Sequence, residues 1–262
     1  MYKLNITEIT EQIRLALIFK GYVFELMNVD FRTLQIYNII EHVQNLSTEY
    51  PNYGNVLMFD LRKENKMKVT ILLGSVRSNS NTEIVVDQFI KEINKQSIET
   101  QKIIIKDLKI EHCNACWTCQ DVFERPGCPK NDDMDKIYSS IQKSDCIIFA
   151  SPIYSWYCTP PMKAVMDRLV YGMNKYYGKT EGPCLWEGKL LGLITTCGYD
   201  IEEGAGIYEE GLKLYSKHSR LEYIGKLAIQ DIEGKDHFKS VDTYKKICKY
   251  TNQVVEKLQS IS

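Results

Sequence analysis

The sequence predicts an α/β domain built on a five-stranded parallel sheet with helices on both faces, preceded by a small N-terminal α/β extension. Three observations carry this. Five apolar runs of strand length follow Lys66, at residues 69–73, 103–108, 146–150, 190–195 and 221–229. Helical patterns lie between and after them. The third and fourth runs are almost continuously apolar, as expected of strands covered on both faces. Strands alternating with helices give parallel sheets with right-handed crossovers.

Each helix shows an apolar stripe. Val86, Phe89, Ile90 and Ile93 share one face, and Met134, Ile137 and Ile141 another. Met162, Val165, Met166, Leu169 and Val170 follow the i, i+3, i+4, i+7, i+8 spacing of a core-facing helix. Ile247, Val254, Val255 and Leu258 suggest a closing helix. The punctuation Lys63-Glu64-Asn65-Lys66 separates this pattern from a different one. Residues 1–66 are expected to form the extension and 67–262 the main domain. In the extension, Ile6, Ile9, Ile13 and Leu17 could line one helix, and Ile36, Ile40, Val43 and Leu46 a second. Residues 22–27 and 56–61 read as short strands. No chemistry is legible in this part.

Composition bounds the function. Lys+Arg of 33 against Asp+Glu of 34 gives a net charge of −1. That argues against nucleic acid as a partner, because binding it needs clustered cations to displace counterions. The apolar stretch at 15–27 is broken by Lys20 and Glu25, so neither a signal peptide nor a membrane segment is expected. Nine cysteines is an odd number with no export signal beside it. A reducing cytoplasm is expected, not a secreted disulfide framework.

In such sheets ligands bind beyond the carboxyl ends of the strands. After the first run comes Gly74-Ser75-Val76-Arg77-Ser78-Asn79-Ser80-Asn81-Thr82, then a helix. A helix N-terminus offers free N–H groups and a favourable dipole to a phosphate, and Arg77 adds a planar cationic fork. The plain alternative is a well-capped helix, for which serine and asparagine are equally suited. The third run ends in Ser151-Pro152-Ile153-Tyr154-Ser155-Trp156-Tyr157, whose aromatics offer flat surface to a heteroaromatic ring. The fourth ends in Thr195-Thr196-Cys197-Gly198-Tyr199, small residues that let backbone amides approach a ligand edge.

These loops, with Met162-Lys163-Ala164-Val165-Met166-Asp167-Arg168 and the helix opening Asp132-Asp133-Met134, resemble the NAD(P)H-dependent FMN reductase family of the flavodoxin-like superfamily. The resemblance covers residues 68 to about 230. It implies the strand order 2-1-3-4-5, with Ser75, Arg77, Ser80, Asn81 and Thr82 on the FMN phosphate. Pro152, Ile153, Tyr154, Ser155 and Trp156 would border the ring, with Thr196, Cys197, Gly198 and Tyr199 opposite. NAD(P)H would reduce the flavin, and a small acceptor (quinone, nitro or azo compound, or free flavin) or a redox protein would take the electrons. The chemistry is the cofactor's, and no acid–base residue is assigned. A homodimer or homotetramer is expected by the same resemblance.

Cys113, Cys116, Cys119 and Cys128 follow the second run, beside the expected flavin. Soft sulfur at two-residue intervals suits iron–sulfur or zinc. Iron–sulfur flavoproteins, relatives on the same fold, carry a similar group, although the last gap here is longer. A 4Fe–4S cluster, zinc and free redox-active thiols are the three readings. They correspond to an electron carrier, a structural zinc module and a simple flavin enzyme. The segment 171–183 is a long insertion, suited to a lid, a subunit contact or a plain surface loop.

Overall fold

The computed structural model describes residues 66–232 and 234–261, within the unit Lys66–Ser262. The elements expected between Ile6 and Leu61 lie outside the described residues. Strands β1 (Lys68–Leu73), β2 (Glu99–Ile104), β3 (Cys146–Pro152), β4 (Leu190–Cys197) and β5 (Glu222–Gln230) form one sheet in the order β2-β1-β3-β4-β5. Every pairing is parallel. This is the flavodoxin-like order.

Side-chain alternation divides the core into two layers. Ile71, Leu73 and Ile148 pack with Val85, Phe89 and Ile93 of α1 (Asn81–Asn94) and Ile247, Val254 and Leu258 of α5 (Val241–Ser260). Leu72, Ile147 and Phe149 face the other way. They pack with Ile137 of α2 (Met134–Gln142), Val165 and Leu169 of α3 (Pro160–Met173), and Tyr208 and Leu212 of α4 (Ile201–His218). Every residue of β4 is buried, and all of β3 except its last, as their unbroken apolar runs require.

Two elements differ from expectation. The second strand is Glu99–Ile104, not 103–108; residues Ile105–Asp107 turn as a short 3-10 helix. β2 is an edge strand with no fully buried residue, so polar Glu99, Thr100, Gln101 and Lys102 belong to it. The apolar run only straddles its end. Helix α4 was not read from the sequence, because Gly204, Gly206 and Gly211 dilute its stripe of Ala205, Tyr208 and Leu212.

Gly192 sits in mid-β4 facing Tyr250 of α5. A Cβ there would strike the Tyr250 hydroxyl and lie 2.7 Å from Ile148 Cδ1. Gly192→Ala should therefore overpack the core and cost about 1–3 kcal/mol. Urea unfolding should show a lower midpoint with an unchanged slope.

Candidate functional site

The strand register brings Leu73 level with Ala150, Pro152 with Thr196, and Cys197 with Gln230. The loops after β1, β3, β4 and β5 therefore leave from one edge. They enclose a cleft of about 310 Å³.

The first loop is held tightly at its root. Gly74 N donates to Ala150 O (2.7 Å), and Thr159 Oγ1 donates to Gly74 O (2.6 Å). A Cβ on Gly74 would lie 2.8 Å from Met162 Cβ, so only glycine lets the loop pass α3. Buried Ser75 turns the chain by accepting from Arg77 N at 3.3 Å. Ser80 caps α1, accepting from Glu83 N at 3.2 Å. Its role as a helix cap is thus realised, whereas the exposed Arg77 side chain pairs with no described carboxylate. Thr82 and Thr196 share a buried 2.7 Å hydroxyl contact that joins the first loop to the fourth strand. Asn81 Nδ2 donates to Asp231 Oδ2 (2.7 Å), tying the start of α1 to the loop after β5.

The loop after β3 makes a tight turn. Tyr154 and Tyr157 exchange backbone hydrogen bonds of 2.8 and 3.0 Å. Ser155 and Trp156 both take positive φ, at 48° and 64°. Such a backbone is uncommon for tryptophan and costs of order 1–3 kcal/mol. It directs Trp156 onto Tyr199, ring centroids 5.9 Å apart and planes at 16°.

Ser75, Arg77, Ser80, Asn81, Thr82, Pro152, Ile153, Tyr154, Thr196, Cys197 and Gly198 all line the cleft. Ser155, Trp156 and Tyr199 do not; the two rings stack on each other instead. Burial raises the pKa of the Cys197 thiol, which donates to Tyr199 O at 3.3 Å, so it faces the cleft as a neutral group. Ser78 and Asn79 of the loop read from the sequence also contribute walls, as do Asp231, Gly234 and Lys235, which were not read from it. The rule of carboxyl strand ends, applied to β5, would have found the last three. A helix N-terminus, a guanidinium and apolar surface in one cleft fit a phosphorylated heteroaromatic cofactor such as FMN.

The four cysteines occupy a second, small cavity of about 20 Å³ that shares no wall with the first. Cys113, Cys116, Cys119 and Cys128 line it together with Tyr138, Arg168, Tyr171 and Gly172. Tyr138 lies on α2; Arg168, Tyr171 and Gly172 lie 8 to 12 positions into α3, so at 1.5 Å per residue this wall sits roughly 12–18 Å along the helix from the end that flanks the cleft. The cysteines thus line a cavity separate from the cleft. The insertion at 171–183 contributes no wall to the cleft. It completes α3 and folds back, Lys175 N to Pro183 O (3.0 Å) and Gly182 N to Lys175 O (2.7 Å), against the cysteine loop.

Two buried polar side chains fix that loop. Gln120 Nε2 donates to Tyr171 O (2.6 Å) and Asn174 O (2.9 Å), satisfying carbonyls at the end of α3, while its Oε1 accepts from Tyr177 N (3.0 Å). Lys175 Nζ donates to Cys119 O (2.9 Å) and Pro126 O (2.7 Å). Arg168 forms a buried ion pair with Asp132 and donates Nη2 to Cys128 Sγ at 3.3 Å. Burial pushes the Lys175 ammonium down to about 8, opposed by the charges of Cys119 and Cys128. The Cys119 thiol is raised by burial, and that of Cys116 lowered by hydrogen bonds from Thr118. Among the described residues no group of three or more His, Cys, Asp or Glu is arranged to hold a single ion. A 4Fe–4S cluster asks instead for four thiolates around a larger core, and the donor set has that chemistry.

A parallel sheet in this order, with a polar cleft at its carboxyl edge, defines the flavodoxin-like class. The chain belongs, more narrowly, to the NADPH-dependent FMN reductase family, whose model matches residues 67–212. Among curated relatives, an iron–sulfur flavoprotein of Archaeoglobus fulgidus is 36% identical over 107 residues, 40% of this chain and 47% of that one. One from Methanosarcina thermophila is 33% identical over 111 residues, 42% and 56% of the two chains. The chain spans about half the length of these relatives. The solved structure of RosB with a bound riboflavin-5′-phosphate derivative superposes with TM-score 0.59 at 19% identity, covering 74% of this chain and 79% of RosB. An NAD(P)H:quinone oxidoreductase from Methanothermobacter marburgensis gives 0.58 at 16%, covering 72% and 99%. At these identities the likeness is one of fold. No helix among the described residues is long and apolar enough to cross a membrane.

Thr196→Val should leave the buried Thr82 hydroxyl without its partner. We expect a loss of about 1–3 kcal/mol in chemical unfolding, and Thr82→Val in the same background should recover part of it.

Proposed function

We propose that the protein binds FMN in the 310 Å³ cleft, accepts hydride from NADH or NADPH, and passes electrons to a small acceptor such as a quinone, a nitro or azo compound, or free flavin. The observation that carries this is convergence. Loops separated by more than a hundred residues supply a helix N-terminus, a guanidinium and an apolar wall to one opening. Membership of the FMN reductase family supports it. When bound, FMN supplies the redox chemistry itself. The chain's residues bind and orient. Backbone N–H groups at the start of α1 and Arg77 would hold the phosphate. Pro152, Ile153 and Tyr154 would bear on the ring, and Gly198, with no side chain, gives the backbone beside Thr196 and Cys197 access to its edge. We place the enzyme in the cytoplasm as a homodimer or homotetramer; nine free thiols suit a reducing compartment.

A second reading has its own observation. Four cysteines distant from the cleft line one cavity, and the two relatives above are named iron–sulfur flavoproteins. In that reading a 4Fe–4S cluster on Cys113, Cys116, Cys119 and Cys128 relays single electrons to a redox partner. Iron, zinc, sulfide and flavin should be measured in protein purified without oxygen. Flavin alone favours the first reading, and flavin with stoichiometric iron the second. Zinc without flavin would overturn both. In the second case Cys116→Ala should abolish iron and leave FMN bound, because the two cavities share no residue.

Arg77→Ala should weaken FMN by about 1.5–3 kcal/mol, the range for a charge-assisted hydrogen bond, and leave riboflavin affinity unchanged. Titration of apoprotein with both flavins measures this. Equal losses for the two, or none, would mean that Arg77 does not read the phosphate.

A further inference from the structure

Against the backbone of the cysteine loop lies a cation that the fold does not balance. Lys175 is fully buried, yet its Nζ contacts two neutral backbone carbonyls, those of Cys119 and Pro126. Among the described residues no carboxylate pairs with it. A buried charge that meets only dipoles is costly unless an opposite charge lies close. The neighbouring cation, Arg168, is a different case. Asp132 balances it, its Nη2 points at Cys128 Sγ, and its buried Nε has no partner. The loop therefore carries one surplus positive charge behind the Cys119 backbone, and Arg168 adds an N–H on the Cys128 sulfur and a second, unpartnered donor.

Three states of the cysteines can be compared on this ground. Disulfides and protonated thiols are neutral and leave Lys175 unmatched. Four thiolates on an iron–sulfide core, or on zinc, leave a net negative charge that the ammonium offsets; of the two, only the iron–sulfide core takes up electrons. We propose that Lys175 is the charge-compensating residue of this cavity, fitting it for an anionic, thiolate-ligated iron–sulfur centre whose sulfur Arg168 contacts. This rests on the second reading above. It adds that Lys175, besides fixing the loop through two carbonyls, acts through the centre as a tuning group. Because uptake of an electron adds negative charge, the ammonium should also raise the reduction potential of the centre, which depends on local charge and hydrogen bonds to sulfur.

The test uses the full chain, reconstituted without oxygen from ferrous iron and sulfide, in wild-type form and as Lys175→Met, Lys175→Gln and Lys175→Arg. Glutamine keeps a donor for the two carbonyls without the charge. Metal-free Lys175→Gln should carry wild-type FMN and melt no lower than the wild type, since it removes the unbalanced charge and keeps a donor; Lys175→Met, which leaves the two carbonyls unpaired, should carry wild-type FMN. Both should take up iron at least tenfold more weakly. Any centre they hold should be at least tenfold harder to reduce, 59 mV for one electron. Lys175→Arg should stay close to the wild type in both respects. Lys175→Gln with wild-type iron uptake and potential would overturn the proposal. So would metal-free Lys175→Gln melting well below the wild type, for the lysine would then be a structural tie alone. If wild-type protein itself takes up no iron while holding FMN, the cluster reading has failed, and the wild type alone reveals it.

Discussion

Everything at the carboxyl edge of the sheet depends on how strand carbonyls are satisfied once the ladder runs out. Backbone groups buried without partners cost free energy comparable to a lost hydrogen bond. Here side-chain hydroxyls complete the ladder. Thr159 Oγ1 donates to Gly74 O, Thr195 Oγ1 to Ser151 O (2.7 Å), and Ser151 Oγ accepts from Thr159 N (3.1 Å). One buried network thus ties β1, β3, β4 and the start of α3 at the point where the cleft opens. It explains why a polar Ser-Pro and Thr-Thr follow runs that are otherwise wholly apolar.

That rigid edge lets the loops hold backbone shapes they would not adopt alone. Asn79, Ser155 and Trp156 all have positive φ. Gly74 passes α3 at a separation that no side chain would tolerate. The strain in the Tyr154–Tyr157 turn is offset by its two backbone hydrogen bonds and by the stack of Trp156 on Tyr199. With the turn fixed at both ends, Tyr154 is presented to the cleft on a firm base, which suits a site that must orient a flat ring.

Legibility in the sequence followed burial. β3 and β4 are covered on both faces, so their composition is dictated and their positions could be read; edge strand β2 answers to solvent on one side, and an apolar run misplaced it. Helix α4 escaped notice because its glycines are invisible to a stripe of large residues. The first, third and fourth loops carry distinctive residues and could be assigned to one edge. The β5 loop, with Asp231 and Lys235, has no such mark. Only its position after the fifth strand points to it, and the Asn81–Asp231 hydrogen bond across 150 residues ties it to the start of α1. Gln120 and Lys175 were missed for the same reason: a lone glutamine or lysine looks solvent-exposed until the fold encloses it.

Helix α3 gives the two cavities their relation. Its first turn packs under the phosphate loop through Met162, and its last two turns carry Arg168, Tyr171 and Gly172 into the cysteine cavity. The helix is thus a fixed spacer between them, about 12–18 Å at 1.5 Å per residue. The two cavities share no lining residue, so what joins them is the packed layer that α3 contributes to both. The charge arrangement agrees with this separation. Arg77 is exposed at the cleft, whereas Lys175 is sealed behind the cysteine loop on two backbone carbonyls.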